Sequence, residues 1–287
     1  MKLSEHDKRA FNEGGFVVLR GLFSETEVAP VRAALERLYA TAQTLRATGD
    51  HDGAFFALST PPVGNVVVQR VVWAGGAEPG LLRLSEDPRL VDVALEFLGT
   101  DSCEQLLCQA HYKMPNDGVT FDWHQDIQHR DKGGDTWRDV TGRGSYVQSI
   151  LLVDPMTEEN GPLEFVPLSA AKVDADRRLV KGENGPIVDV SRAVSITGNP
   201  GDVLLFGPYS VHGSHANTSS LPRRCRSRRR SNLRRREIPR VVEPRGSQRL
   251  GDPKEGVSPC TLRRLGGPRC GTFLETRPEG VRRVRSW

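Results

Sequence analysis

No run of apolar residues approaches the ~20 that a membrane-spanning helix needs. Nothing hydrophobic follows the lone Lys2 at the N-terminus, so neither a membrane anchor nor a secretory signal is expected. Cysteine is sparse too, with five among 287 residues, an odd number, and no Cys-x-x-Cys pair. That argues against a disulfide framework and a cysteine-rich zinc module, and makes a reducing cytoplasm the expected compartment. No internal repeat is evident, which leaves solenoids and propellers aside. What remains is 37% hydrophobic and 26% charged, a globular composition long enough to bury one large core without staples.

The net charge of +4 conceals an asymmetry. From Arg223 onward the chain carries about 20 basic and about 6 acidic residues, so the part before it is acidic by about 10. The basic part opens with Arg223, Arg224, Arg226, Arg228, Arg229 and Arg230, then Arg234, Arg235 and Arg236. It is rich in Pro, Gly and Ser and shows neither strand nor helix periodicity. Such a segment cannot bury enough apolar surface to offset the entropy of ordering it. Two domains are therefore expected: an ordered part over 1–224 and an Arg-rich tail over 225–287, disordered or read from a shifted frame.

The ordered part reads as helices followed by many short strands. A small helix precedes an apolar strand at 16–19. Ser24 and Glu27 form a capping box ahead of a helix whose apolar face is Val28, Val31, Leu35, Leu38 and Ala42. Asp87 and Pro88 start a second helix that stops at Gly99. Strands are expected at 66–72, 105–113, 146–153, 163–166 and 203–206, separated by Gly/Pro/Asn turns. The fold class is mainly β with flanking helices, an antiparallel barrel or jelly roll.

Two short stretches carry the chemistry. In Trp123-His124-Gln125-Asp126, residues two apart share one face of a strand, so an imidazole and a carboxylate project together. A bare His-x-Asp is usually an exposed polar pair at a strand end. The second stretch, Val211-His212-Gly213-Ser214-His215, follows an apolar strand and brings a second imidazole from far away in sequence. Two histidines and one carboxylate bind non-haem Fe(II) and leave coordination positions open. Arg223 lies one strand-length beyond His212, where its guanidinium fork can grip a carboxylate.

At this point the chain resembles the phytanoyl-CoA dioxygenase-like branch of the Fe(II)/2-oxoglutarate-dependent oxygenases. The resemblance spans roughly 10–224. It rests on the Gly-Phe-Val-Val-Leu-Arg-Gly-Leu-Phe opening at 15–23 and the Trp-His-Gln-Asp box. It rests further on Glu-Asn-Gly-Pro-Leu-Glu-Phe-Val-Pro at 159–167, Gly-Asp-Val-Leu-Leu-Phe at 201–206 and His-Gly-Ser followed by Pro-Arg-Arg.

The resemblance implies a cupin-like double-stranded β-helix with iron in its mouth. His124, Asp126 and His212 would bind Fe(II), with His215 the less favoured alternative to His212. Arg223 and Ser214 would hold the distal carboxylate of 2-oxoglutarate, and Gln109 and His111 would face the co-substrate more loosely. The implied reaction uses O2 and 2-oxoglutarate to hydroxylate an unactivated C–H of a small organic substrate, releasing succinate and CO2. Asp126 favours hydroxylation, because halogenating relatives give up the carboxylate ligand.

Relatives of this kind close the barrel with an apolar strand after the arginine, and here the sequence turns Arg-rich instead. The closing strand is therefore expected to be missing, and a catalytically inactive barrel or small-molecule binding protein is the alternative. Cys103 and Cys108 are expected to be buried apolar residues, Trp123 core or cavity wall, His129 rim, and the loop 132–144 a solvated connection. Nucleic-acid binding by the tail is not expected, since it lacks interleaved aromatics.

Overall fold

The computed structural model describes residues 3–45, 47–59, 64–128 and 146–231, together with a ladder between Glu275–Thr276 and Arg282–Arg283. His129, the loop 132–144 and nearly all of the tail beyond Ser231 lie outside the described residues. The helices are α1 (Glu5–Gly14), α2 (Glu25–Thr44), α3 (Ala74–Ala77), α4 (Pro79–Leu84) and α5 (Pro88–Leu98). The first strands are β1 (Phe16–Leu19), β2 (Gly49–His51), β3 (Ala54–Ser59), β4 (Val67–Val72), β5 (Glu104–Lys113), β6 (Phe121–His124) and β7 (Tyr146–Leu152). Then come β8 (Glu164–Val166), β9 (Lys181–Gly182), β10 (Gly185–Pro186), β11 (Val194–Ser195), β12 (Val203–Phe206), β13 (Val211–Ser214) and β14 (Arg223–Ser231).

Local chemistry sets the helix limits. Ser4 with Asp7, and Ser24 with Glu27, form reciprocal capping boxes that satisfy the first free backbone donors of α1 and α2. Asp87 caps α5, Pro88 occupies its first turn, and Gly99 closes it in the left-handed region at φ 62°. The β2–β3 hairpin turns through Asp52 and Gly53 at φ 49° and 77°, the positive angles that favour Asp-Gly. Gly201 has φ 94° and packs its Cα against the Phe23 carbonyl, where any Cβ would collide.

Two antiparallel sheets build the domain. The large one runs β1-β12-β7-β14-β5-β4-β3-β2, and the small one runs β11-β8-β13-β6. α2 and α5 bury Val28, Leu35, Leu38, Leu90, Val93 and Phe97 in the core cluster that covers one face of the large sheet. Between the two sheets lies a second cluster, with Phe165 of β8 packed among Ile150, Leu152, Leu204, Phe206 and Cys225. Alternation on β5 sorts the two faces: Cys108, Ala110 and Tyr112 join the helix-side core, while Gln109, His111 and Lys113 face the interior.

One expectation is overturned. The closing strand is not missing: β14 runs through the expected boundary at 224/225 and pairs along its length with β5, and from Cys225 onward with β7. The slot between those strands is defined by backbone donors and acceptors on both sides, and ladder bonds are indifferent to side-chain type. Asp154 sets the register at its start, taking hydrogen bonds from the Arg224 backbone N–H at 2.8 Å and from its guanidinium at 2.7 and 2.9 Å. Side chains then alternate, with Arg226, Arg228 and Arg230 toward the helices and Arg223, Cys225, Ser227 and Arg229 toward the interior.

Candidate metal centre

β13 lies between β8 and β6, and its His212 is the direct register partner of His124. The two imidazoles stand 4.2 Å apart, centroid to centroid. His212 is buried, stacked on Phe165 at 5.5 Å and tilted against Phe206 at 4.7 Å. Each ring is turned by a backbone carbonyl two residues earlier: Asp122 O lies 2.6 Å from His124 Nδ1 and Ser210 O 3.0 Å from His212 Nδ1. A carbonyl on Nδ1 fixes the tautomer in which Nε2 serves as a metal ligand.

Asp126 arrives by a different route from the one strand alternation predicts. β6 ends at His124, and Asp126 sits in a 3-10 turn over 126–128. The turn is held by the fully buried Gln125, whose amide donates to Arg177 O at 3.0 Å and Tyr209 O at 2.9 Å and accepts from Leu179 N–H at 2.8 Å. With that clamp in place, ligand atoms of His124, Asp126 and His212 all lie within 4.8 Å of one another. His215 points elsewhere, its Nδ1 against Ala216 O at 2.8 Å, and is exposed.

The interior around this trio is cationic. Arg229 reaches Asp126 Oδ2 with Nη2 at 2.7 Å, donates to Gln148 Oε1 at 2.6 and 3.0 Å, and lies over the Tyr146 ring. Arg223 and Lys113 are register partners at one end of β5 and β14. Lys113 Nζ donates to the carbonyl of His215. Burial, and then the neighbouring Arg223, pull the Lys113 pKa down to about 7. Burial likewise pulls the Arg223 pKa below the usual arginine value. Arg223 Nε and Ser214 Oγ are buried and have no hydrogen-bond partner among the described residues. Two orphaned polar groups of this kind suit an incoming carboxylate, which accepts from both.

His111 faces the same interior, 3.0 Å from Ser227 Oγ through Nε2. Burial, followed by Arg70 and Arg223, holds its pKa down at about 3, so the ring is neutral at physiological pH. Gln109 is buried on the same face of β5. Trp123 is half-buried against the Val166 and Val211 cluster, and Cys103 and Cys108 are buried free thiols.

Sequence reasoning missed Gln125, Lys113, Arg229 and Arg70. Gln125 was signalled only by sitting between two ligand-type residues. Arg70 was signalled as the basic residue of the apolar run Val67-Val68-Gln69-Arg70-Val71-Val72.

A family model described as phytanoyl-CoA dioxygenase (PhyH) matches residues 11–225. An ectoine dioxygenase of Bordetella bronchiseptica is 30% identical over 242 residues, covering 77% of this chain and 73% of that protein. An L-proline trans-4-hydroxylase of Streptomyces griseoviridis is 27% identical over 167 residues, 50% of this chain and 59% of that protein. Among solved structures, EctD from S. alaskensis with bound Fe aligns with a TM-score of 0.59 at 27% identity, over 80% of this chain and 76% of that one. The same protein with 2-oxoglutarate and 5-hydroxyectoine aligns with a TM-score of 0.61 at 26% identity, again over 80% and 76%. With a family match across three-quarters of its length and relatives that are dioxygenases and hydroxylases, the chain belongs to the phytanoyl-CoA dioxygenase family and is an Fe(II)- and 2-oxoglutarate-dependent dioxygenase.

Proposed function

We propose that His124, Asp126 and His212 hold the ferrous ion and that Arg223, Ser214 and Lys113 receive the distal carboxylate of 2-oxoglutarate. The observation that carries this reading is the mutual 4.8 Å approach of the three ligand side chains, two of them cross-strand partners. The donor set suits Fe(II), for which two imidazoles and one carboxylate leave positions open. The orphaned Ser214 Oγ and Arg223 Nε support the co-substrate seat.

Bound there, the iron and 2-oxoglutarate supply the oxidising chemistry that uses O2 to hydroxylate a C–H, with 2-oxoglutarate leaving as succinate and CO2. The chain's own residues bind and orient. Asp122 O and Ser210 O turn the imidazoles, Gln125 aims Asp126, and Phe165 and Phe206 keep water from the His212 side. Neutral His111 and buried Gln109 border the co-substrate without adding charge. The substrate is a compact ring-bearing molecule of the amino-acid type, as the names of the ectoine and proline relatives suggest. We read the fold as a double-stranded β-helix working in a reducing cytoplasm, where three buried thiols stay reduced.

The test is spectroscopic. Anaerobic Fe(II) plus 2-oxoglutarate should give a weak metal-to-ligand charge-transfer band in the visible, lost in His124→Ala. Succinate formation with ectoine or L-proline as probe should rise above the substrate-free rate. A wild-type protein that gives no band overturns the assignment of the ligands.

For the organisation of the chain we propose one oxygenase domain ending with β14, past the boundary at 224 expected from sequence, and a reading frame that shifts near codon 224. Two observations support the shift. The family match stops at residue 225, and β14 fills an inner slot of the sheet with six arginines. Translation of the neighbouring frames of the coding DNA should reveal an alternating apolar strand after that codon. If neither frame contains one, the shift is wrong.

A further inference from the structure

Arg70 has no role in the site as described so far, and its position is unusual. It lies on β4, directly opposite His111 of β5, on the face that also carries Val72. Its neighbour Val71 pairs with Ala110 and joins the helix-side core, so alternation turns Arg70 into the interior. Its Nε is buried without a hydrogen-bond partner, and no guanidinium nitrogen makes an ion pair among the described residues. The charge is felt at the centre all the same: Arg70 depresses the pKa of His111, and Asp126 acts back to raise that of Arg70 against the lowering effect of burial. A guanidinium begins from so high a pKa that it stays charged.

A half-buried cation whose Nε is sealed from water, with no ion pair among the described residues, is costly beside a metal tripod unless a ligand completes it. 2-Oxoglutarate does not fit that role. Its distal carboxylate is assigned to Arg223 on β14, and Arg223 and Arg70 sit on opposite sides of β5. Their strands are two ladder spacings apart, ~10 Å between backbones. Nor does the charge count favour a neutral guest. Among the described residues, Arg70 and Arg229 stand around the tripod with Asp126 as the acid, and Fe(II) with 2-oxoglutarate adds no net charge. The surplus is positive, so it draws an anion.

We propose that Arg70 anchors a carboxylate of the molecule that is hydroxylated, placing the opposite end of that molecule toward the iron. The proposal rests on the oxygenase reading above. It makes Arg70 a specificity-determining residue for small carboxylic acids over their neutral amides.

The test is calorimetric titration of the anaerobic protein loaded with Fe(II) and 2-oxoglutarate. The probes are acetate, benzoate, L-proline and ectoine, each compared with its carboxamide. At least one acid should bind about 10- to 100-fold more tightly than its amide, the range of a charge-assisted hydrogen bond. Arg70→Leu should abolish that preference, Arg70→Lys should restore part of it, and both should keep the 2-oxoglutarate dissociation constant within about threefold of wild type. A wild type indifferent to the carboxylate overturns the proposal, and so does an Arg70→Leu variant that keeps the preference. Loss of 2-oxoglutarate or Fe(II) affinity with the preference intact reassigns Arg70 to the co-substrate or to Asp126. Repeating the acid and amide titrations on metal-free protein separates a failure of Arg70 from a failure of the iron reading.

Discussion

Replacing Arg226, Arg228 and Arg230 together by leucine, whose volume is close to arginine's, is expected to stabilise the domain. These three guanidinium groups lie in the helix-side core and find no carboxylate among the described residues. Arg226 donates to Leu81 O at 2.9 Å and to Ser85 Oγ, Arg228 to Ser85 O and to Leu90 O at 3.1 Å, and Arg230 to Ser85 O and to Cys103 Sγ at 3.2 Å. The Nε of each is buried and unpaired. Burial, then Arg230 and Arg226 on either side, push the Arg228 pKa well below the usual value, so the charges also oppose one another. Exchanging buried ionic groups for apolar ones stabilises proteins by ~1–4 kcal/mol. Each carbonyl that loses its donor gives back ~1 kcal/mol. Taking the middle of that range, ~2.5 kcal/mol, less ~1 kcal/mol at each of the three positions gives a net gain of ~4–5 kcal/mol, which raises the urea midpoint by ~2 M for a slope near ~2 kcal/mol per M. Arg9→Leu on the exposed face of α1 serves as control and should move stability by under ~0.5 kcal/mol. A triple variant whose midpoint stays put or falls refutes the reasoning, because the carbonyl contacts would then outweigh the desolvation.

Three further outcomes are expected. Gln125→Ala leaves Leu179 N–H, Arg177 O and Tyr209 O without their partner, which should cost ~2–4 kcal/mol and loosen Asp126; thermal melts together with an anaerobic Fe(II) titration read both effects. Arg229→Leu removes the guanidinium that competes with iron for Asp126, so Fe(II) affinity should rise by about tenfold, and equal affinity would contradict the competition. Lys113, with its pKa lowered to about 7, is mostly neutral at pH 8, and a bound dicarboxylate favours its charged form. 2-Oxoglutarate binding should therefore take up a proton at pH 8 and weaken as pH rises above 7, which calorimetry in buffers of different ionisation enthalpy measures; Lys113→Met should flatten the profile.

Elements with local signals were legible in the sequence. The Ser24–Glu27 capping box, the Asp87-Pro88 start and Gly99 stop of α5, and the apolar runs of β1, β5, β7 and β12 each carry their own evidence within a few residues. The β2–β3 hairpin escaped notice although Asp52-Gly53 marks its turn, because the flanking residues alternate poorly. β14 was illegible for a stronger reason: its partners are more than 70 residues away, and its side chains contradict the slot its backbone occupies. In the site, residue types at the ligand positions could be read from the chain itself. The means of bringing them together could not, since Asp126 depends on Gln125 bonding to Leu179 and Tyr209, 54 and 84 positions downstream. Arg70 and Lys113 likewise gain meaning only from their register with His111 and Arg223.

The place of β14 inside the large sheet governs how the molecule is made. As the ribosome works from the N-terminus, β5 and β7 emerge early and wait, each showing an open edge to its surroundings. Every other strand of the large sheet is synthesised before the one that joins these two. Closure is thus a late event of long sequence separation, slow by topology and exposed to edge-to-edge association while the nascent chain is incomplete.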